Sequence, residues 1–464
     1  MTDRSARPRR LQSLRDQDDR MDSDVPFEQQ TGGSRMQPTN AWHPPFLSTM
    51  EDTGLTKLNI ADLVLKVLYY GGDMTGRGIA DVVKLPFSGV LDGVVEFLKR
   101  EKYLEVRGGT GGFGEASLRY TISSMGAEKA REAMDRSQYA GAAPVPIDTY
   151  IEALHAQNVA KPTIRQRELR SVMENLVISD DMLNRFGPAV NSGRSIFLYG
   201  PPGNGKTIMS ERVGRMVLGA DMWIPYCIDV DGQIIQIFDS LNHELSDNLP
   251  EIKHPTGLVQ DPRWVSIKRP MVMVGGELTL EGLDLVYDEI NKFYESPFQV
   301  KANGGMFLID DFGRQQVRPV DLLNRWIVPL EKGVDFLTLN NGRKIEIPFY
   351  VMIIFSTNLD PKDLVDEAFL RRIRHKIEVN NPSLDQFREI FQLVSKAKGV
   401  PYDENGLKYL LKKWYFDMDR DLRMVHPRDI LTQLIDIAGY LDVPATMSDH
   451  ELLDRAAASY FVEL

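Results

Sequence analysis

The chain has a single cysteine, Cys227, in 464 residues. One thiol excludes an intramolecular disulfide and any zinc cage built from cysteines, and it fits a reducing compartment. Long apolar runs are missing too. The stretch Phe349–Phe355 is seven residues long, against the roughly 18 needed to cross a bilayer. The N-terminus carries arginines without an apolar stretch behind them, so no secretory leader is expected and the cytoplasm is the expected location. An excess of positive charge is also absent: the formal net charge is −11, which argues against nonspecific adhesion of the whole molecule to nucleic acid. What remains is an ordinary globular composition, 42% hydrophobic and 26% charged. The length suits roughly two to four domains.

Residues 1–50 hold seven arginines against seven acids and few aliphatics, the pattern of a solvated, disordered tail. From 55 to 137 the pattern is globular. Amphipathic helices are expected over Leu58–Tyr70, Gly76–Val83 and Phe87–Arg100. A strand (Tyr103–Arg107), a glycine-rich tip (108–112), a second strand (Ser117–Ile122) and a closing helix from Ser124 follow. Three helices and a two-stranded wing is the order of a winged-helix domain. Such a domain reads DNA through its third helix or docks a protein. Residues 55–137 carry 12 Lys/Arg and 11 Asp/Glu, and the third helix bears Asp92 and Glu96 beside Lys99 and Arg100. A DNA reader should show a basic face, so docking is the favoured reading. Residues 138–170 read as a linker (Ala140–Pro146) and a helical lead-in.

The chemistry begins at Gly200-Pro201-Pro202-Gly203-Asn204-Gly205-Lys206-Thr207, which fits G-x-x-x-x-G-K-[ST] and follows an apolar run, Ser195–Tyr199. The glycines let consecutive N–H groups point at one phosphate chain. Lys206 brings a flexible point charge to the β/γ oxygens. Thr207 offers a hydroxyl to Mg²⁺, and the helix that it opens aims its positive end at the same anions. The expected ligand is a nucleoside triphosphate. Downstream, Met306-Phe307-Leu308-Ile309 reads as a buried strand that delivers Asp310 and Asp311 to its carboxyl edge, where open α/β sheets keep their ligands. Asp310 would serve Mg²⁺ and Asp311 would polarise an attacking water. Another buried strand, Val351–Thr357, ends at Asn358. Arg371 and Arg372 lie after it, and Arg428 follows Pro427 in a helical C-terminal region.

In this order of motifs, residues 170–464 resemble the AAA+ ATPases. The resemblance implies an α/β fold: a P-loop parallel sheet over 171–380 with a C-terminal helical lid over 381–464, added to the N-terminal winged-helix-like domain. It implies ATP and Mg²⁺ as ligands and ATP hydrolysis as the activity. Asn358 looks like sensor 1, Arg372 like the arginine finger that reaches a neighbouring subunit, with Arg371 as the alternative, and Arg428 like the sensor 2 arginine. Lys301-Ala302-Asn303-Gly304-Gly305 resembles the Ala-x-Gly-Gly lead-in of enhancer-binding transcription activators, and the MoxR group is similar in this region; a hairpin expected over Phe336–Ile347, with a type I′ turn at Asn341-Gly342, resembles the one that this clade inserts before sensor 1. A finger acting in trans implies a ring homo-oligomer, a hexamer by resemblance, that remodels a protein client.

The sequence also departs from that pattern. Asp311 stands where the family usually has Glu, one methylene longer, which keeps a slowly hydrolysing nucleotide switch as an alternative. The interval from Lys206 to Asp310, 104 residues, implies an insertion. The apolar stretch Met271–Leu280 reads equally as a substrate-engaging loop or as a sheet-edge strand with a turn. A DNA-directed ATPase or transcription regulator is the other rival.

Overall fold

The computed structural model describes residues 42–109, 114–158, 163–174, 176–218, 221–247, 258–364 and 370–461. The expected tail therefore lies outside the described residues as far as Ala41, as do the wing-tip residues 110–112 and the Ala368-Phe369 pair before Leu370.

Five parallel strands form the central sheet, in the order Met271–Val274, Met306–Ile309, Met352–Thr357, Ile196–Tyr199, His375–Glu378. Crossover connections cover both faces of such a sheet, which is why its strands read as unbroken apolar runs. Alternate residues go to opposite sides. Phe197, Phe307, Ile309, Ile353 and Phe355 join Phe312, Leu322 and Trp326 in one core. Ile196, Leu198, Met306, Leu308, Met352 and Ile354 join Phe186, Val190, Met209 and Val213 in the other. The last four residues come from the helices Asp180–Asn191 and Lys206–Leu218. The fold is thus α/β. In Met271–Leu280, the structure has the edge strand Met271–Val274 and a turn at Gly276–Glu277, with Val272, Val274 and Leu278 buried.

The long interval before the acidic strand contributes four of the five strands of a second sheet. Its five strands run Val286–Asp288, Phe293–Glu295, Gln233–Gln236, Cys227–Val230, Val145–Pro146, with mixed directions. Met222–Pro225 pairs with Trp264–Ile267 beside it. The hairpin Val334–Thr338/Lys344–Pro348 packs Leu337, Ile345 and Ile347 into the same core as Ile228, Ile235 and Trp264. Its turn differs from the expected type I′, which needs positive φ at both central residues. Only Gly342 has it, at +82°, while Asn341 does not. Gly342 N–H donates to Leu339 O (2.8 Å) and Leu339 N–H to Arg343 O (2.9 Å), the bonding of a three-residue loop with a glycine bulge.

The N-terminal part has helices Lys57–Gly71, Gly76–Val83 and Asp92–Arg100, and a sheet ordered Met74–Thr75, Leu118–Ile122, Leu104–Gly109. Thr56 and Thr75 cap the first two helices through their side chains. The third helix starts later than the expected Phe87. Ser88 and Gly89 break it, and a Cβ at Gly89 (φ +84°) would lie 2.2 Å from Ser48 O. Residues 42–50, expected within the tail, are built into the fold: Phe46–Leu47 pairs with Val259–Gln260, and the Trp42 ring meets Trp264 edge-on. The expected linker is also packed. Ala143 N–H donates to Val83 O, and buried Arg263 reaches Thr53 O, Pro144 O and the Asp261 carboxylate. The C-terminal helices Leu384–Lys398, Glu404–Leu411, His426–Leu441 and His450–Tyr460 enclose a core of their own. No helix among the described residues is long and apolar enough to cross a membrane.

Candidate functional site

Three adjacent strands end side by side, and the candidate residues hang from those ends. The strand Ile196–Tyr199 runs into the glycine-rich loop. Gly200, Gly203 and Gly205 all have positive φ, and a Cβ at Gly200 would lie 2.4 Å from Val379 O. Met352–Thr357, its neighbour, carries Asn358, and Met306–Ile309, the next strand, carries Asp310 and Asp311. Because Met352–Thr357 is interposed, Asn358 comes between the lysine and the acids.

The hydrogen bonds follow that order. Lys206 Nζ donates to Asn358 Oδ1 at 2.7 Å and to the loop carbonyls of Gly200 and Pro201 at 2.8 and 3.0 Å. Asn358 Nδ2 donates to Asp311 Oδ1 at 2.9 Å. Thr207 Oγ1 donates to Asp310 Oδ2 at 2.8 Å, and the Asp311 N–H to Asp310 Oδ1 at 3.0 Å. Asp311 sits at φ +47°, a conformation uncommon for a residue with a side chain. Burial pulls the Lys206 ammonium below its ordinary pKa; Asp310 and Asp311 oppose that shift and the charge of Arg423 adds to it.

A cavity of about 530 Å³ opens over this cluster. Loop residues 202–207, Asp310, Asp311 and Asn358 are among its lining, and so are the apolar Leu176, Val177, Ile178, Leu393 and Val394. That mixture suits a molecule with an anionic tail and a flat apolar body. The sequence reading did not single out the apolar wall. Residues 176–178 lie outside any helix or strand, and Leu393 and Val394 belong to the C-terminal helix Leu384–Lys398 as part of its own periodic pattern.

The arginines stand apart from the cluster. Arg428 lines the cavity, but its Nε donates to Asp429 Oδ1 at 2.8 Å and its side chain is 59% exposed. Arg372 is not among the lining residues; its Nε donates to Glu331 Oε1. Arg371 is exposed. Arg423, which the sequence reading passed over, approaches the loop instead, donating to Asn381 Oδ1 at 2.8 Å.

Asn204 has a second role that spacing does not reveal. Its side chain is buried, accepting from Met424 N–H (3.1 Å) and donating to Asn381 Oδ1 (2.9 Å). Val425 N–H donates to Gly203 O (2.9 Å), so the loop is tied directly to the start of the helix bearing Arg428. Lys301-Ala302-Asn303-Gly304-Gly305 is a packed corner. Asn303 is buried and bonds Pro348 O and Tyr350 N–H, and a Cβ at Gly305 would lie 2.0 Å from Pro270 O. Among the described residues there is no group of three or more His, Cys, Asp or Glu placed to hold a metal ion.

A domain of unknown function (DUF8689) matches residues 383–459. The search of curated proteins finds no match. Among solved structures, the chain is similar to NtrX from Brucella abortus at 14% identity and a TM-score of 0.38, covering 64% of this chain and 59% of NtrX. The ADP complex of NtrX matches at 14% identity and 0.38, over 73% of this chain and 67% of that one. A mutant RuvB of Thermotoga maritima matches at 10% identity and 0.34, over 64% and 73%. The chain thus spans 59% of the length of the first of these neighbours.

Proposed function

We propose that this chain is an AAA+ ATPase that hydrolyses ATP with Mg²⁺, assembles as a ring, a hexamer by resemblance, and uses the energy to remodel a protein client in the manner of the MoxR group. One observation carries the reading. Three neighbouring strand ends bring Lys206, Asn358, Asp310 and Asp311 into one hydrogen-bonded cluster in the lining of a cavity that apolar residues also line. The loop N–H groups and Lys206 receive the β/γ-phosphates, and the adenine lies against Leu176, Val177 and Ile178. The hydrogen-bonded oxygens of Thr207 and Asp310 are hard donors that suit Mg²⁺, and the ion would supply charge neutralisation on the phosphates. Asp311, held by Asn358, takes the proton of the attacking water, and Asn358 fixes that water and the carboxylate relative to each other. Arg428 meets the nucleotide from the helical lid, and Arg372 serves the pocket of the next subunit.

Residues 55–137 act in this reading as a winged-helix-like docking module. The basic cluster that would be its DNA footprint is largely matched by acids: Lys99 with Glu115 (2.7 Å), Arg100 with Glu101 (3.3 Å), Arg107 with Asp73 (3.5 Å). A nucleotide switch with slow turnover is the second reading, favoured by the short Asp311 side chain already engaged by Asn358. Steady-state ATP hydrolysis with and without duplex DNA separates the readings. A remodelling ATPase turns over without DNA, a DNA-directed one is stimulated by it, and a switch binds ATP with negligible turnover in both.

A further inference from the structure

We infer that Gln315 is a positioning residue for Asp311: it holds the main chain from which the carboxylate hangs, while Asn358 holds the carboxylate itself. The inference rests on the reading of Asp311 as the base that takes the water's proton. Gln315 is buried although it lies outside any helix or strand. Its Oε1 accepts from the Gly313 N–H at 2.7 Å, and its Nε2 faces three carbonyls, those of Gly275 and Asp310 at 3.3 Å and that of Asp311 at 3.4 Å. The two N–H donors of the amide are shared among these acceptors. One side chain thus meets both acidic residues and the residue that follows the edge strand Met271–Val274.

Asp311 needs such support. A side-chain-bearing residue at φ +47° keeps that conformation only where its surroundings over-determine it. On one side, the Phe312 N–H donates to Ser356 O (2.7 Å) and Thr357 Oγ1 to Phe312 O (2.6 Å), which ties the turn to the strand Met352–Thr357. On the other, Gln315 ties the same turn to Gly275, beyond the strand that flanks the acidic one on its opposite edge. The shorter acid makes this brace matter more. An aspartate carboxylate is two torsions from the main chain and a glutamate carboxylate three, each confined to a few preferred settings. A tilt of the Asp311 backbone therefore moves its oxygens with little in the side chain to absorb it.

The test compares Gln315→Leu, Gln315→Glu and Asp311→Asn, all in the full chain, by turnover at saturating ATP, affinity for a fluorescent ATP analogue and melting temperature. Gln315→Leu removes the donors and the acceptor. Gln315→Glu keeps the acceptor for the Gly313 N–H and replaces the amide donors, so it carries the test if the leucine variant does not fold. Turnover should fall roughly ten- to a hundred-fold, since a misplacement of about 1 Å at a reacting group can cost about a hundredfold, while affinity for the analogue stays unchanged. That split between turnover and binding is what a merely structural glutamine would not produce. Unchanged turnover beside an inactive Asp311→Asn overturns the inference alone. So does a parallel loss of turnover and affinity, or loss of the folded state in both Gln315 variants, because each assigns the residue to general support of the fold. Normal turnover in Asp311→Asn instead overturns the base reading on which the inference rests.

Discussion

Lys206, Thr207, Asp310, Asp311 and Asn358 hang from three adjacent strands and already hold one another, whereas Arg372 and Arg428 sit on segments outside the sheet and are tied to carboxylates of their own surroundings. The first group is fixed by a close-packed core on both faces of the sheet, so its geometry is set by folding. In the proposed reading the second group depends on something else arriving, the lid over a nucleotide for Arg428 and a neighbouring subunit for Arg372. On that reading the strand ends preorganise the site and the arginines on peripheral segments make the reaction conditional, so that the ligand would bind a single subunit and the chemistry would need the assembly.

That contrast breaks most completely at Lys206. Lys206→Ala removes the charge facing the phosphates, and affinity for a fluorescent ATP analogue should fall beyond detection, since among the described residues no other lysine lines the cavity. Retained affinity would detach nucleotide binding from the strand-end cluster. Arg372→Ala should lie on the other side of the comparison. ATP binds normally but turnover drops by about 10³-fold or more, as for arginine fingers in other phosphoryl-transfer systems, and specific activity of the unmodified chain rises with protein concentration. A turnover rate independent of concentration, with no rescue on mixing Arg372→Ala with Lys206→Ala subunits, would place all the catalytic groups within one chain.

A smaller effect sharpens the lid side. Burial brings the His426 imidazole down from 6.5 to about 4, with Arg423 and Arg420 adding to the shift, and the ring packs against Tyr415, Tyr460 and Phe461. The unfolded chain binds that proton near 6.5 and the folded chain only near 4, so the stability from a neutral His426 is present above about 6.5 and is lost as the pH falls toward 4. In urea unfolding between pH 7 and 4.5, the native chain should lose more stability than His426→Gln. Equal losses would show that His426 does not titrate on unfolding. The smallest expected effect is on DNA. At about 0.15 M salt, the full chain should bind duplex DNA no more tightly than the roughly 10⁻⁴ to 10⁻⁶ M of nonspecific association; sub-micromolar anisotropy binding would favour the DNA-directed rival.

Much of the first group was legible in the sequence because each member ends an unbroken apolar run: Ser195–Tyr199, Met306–Ile309 and Val351–Thr357 announce a parallel sheet, and the polar residues that follow must lie at its carboxyl edge. The insertion was legible only as extra length. Its strands are short and their partners distant, Val145–Pro146 pairing with Cys227–Val230 and Phe293–Glu295 with Gln233–Gln236, and no local period encodes such pairings. The apolar cavity wall was hidden because Leu176, Val177 and Ile178 come together with Leu393 only in the folded chain. Asn204 stands within the phosphate-loop motif, which gives its position but not that its side chain turns to Asn381 and Met424. The turn at Asn341-Gly342 was misjudged by dipeptide type, since the pairing of Thr338 with Lys344 and of Leu339 N–H with Arg343 O leaves a three-residue loop.

The central claim is that Asp311 is the base of an ATP-hydrolysing site and not merely part of a binding pocket. Asp311→Asn keeps size and shape and removes the proton acceptor, so affinity for ATP should persist while steady-state phosphate release falls to background. Phosphate release at the unmodified rate from that variant, with ATP bound as before, would contradict the assignment.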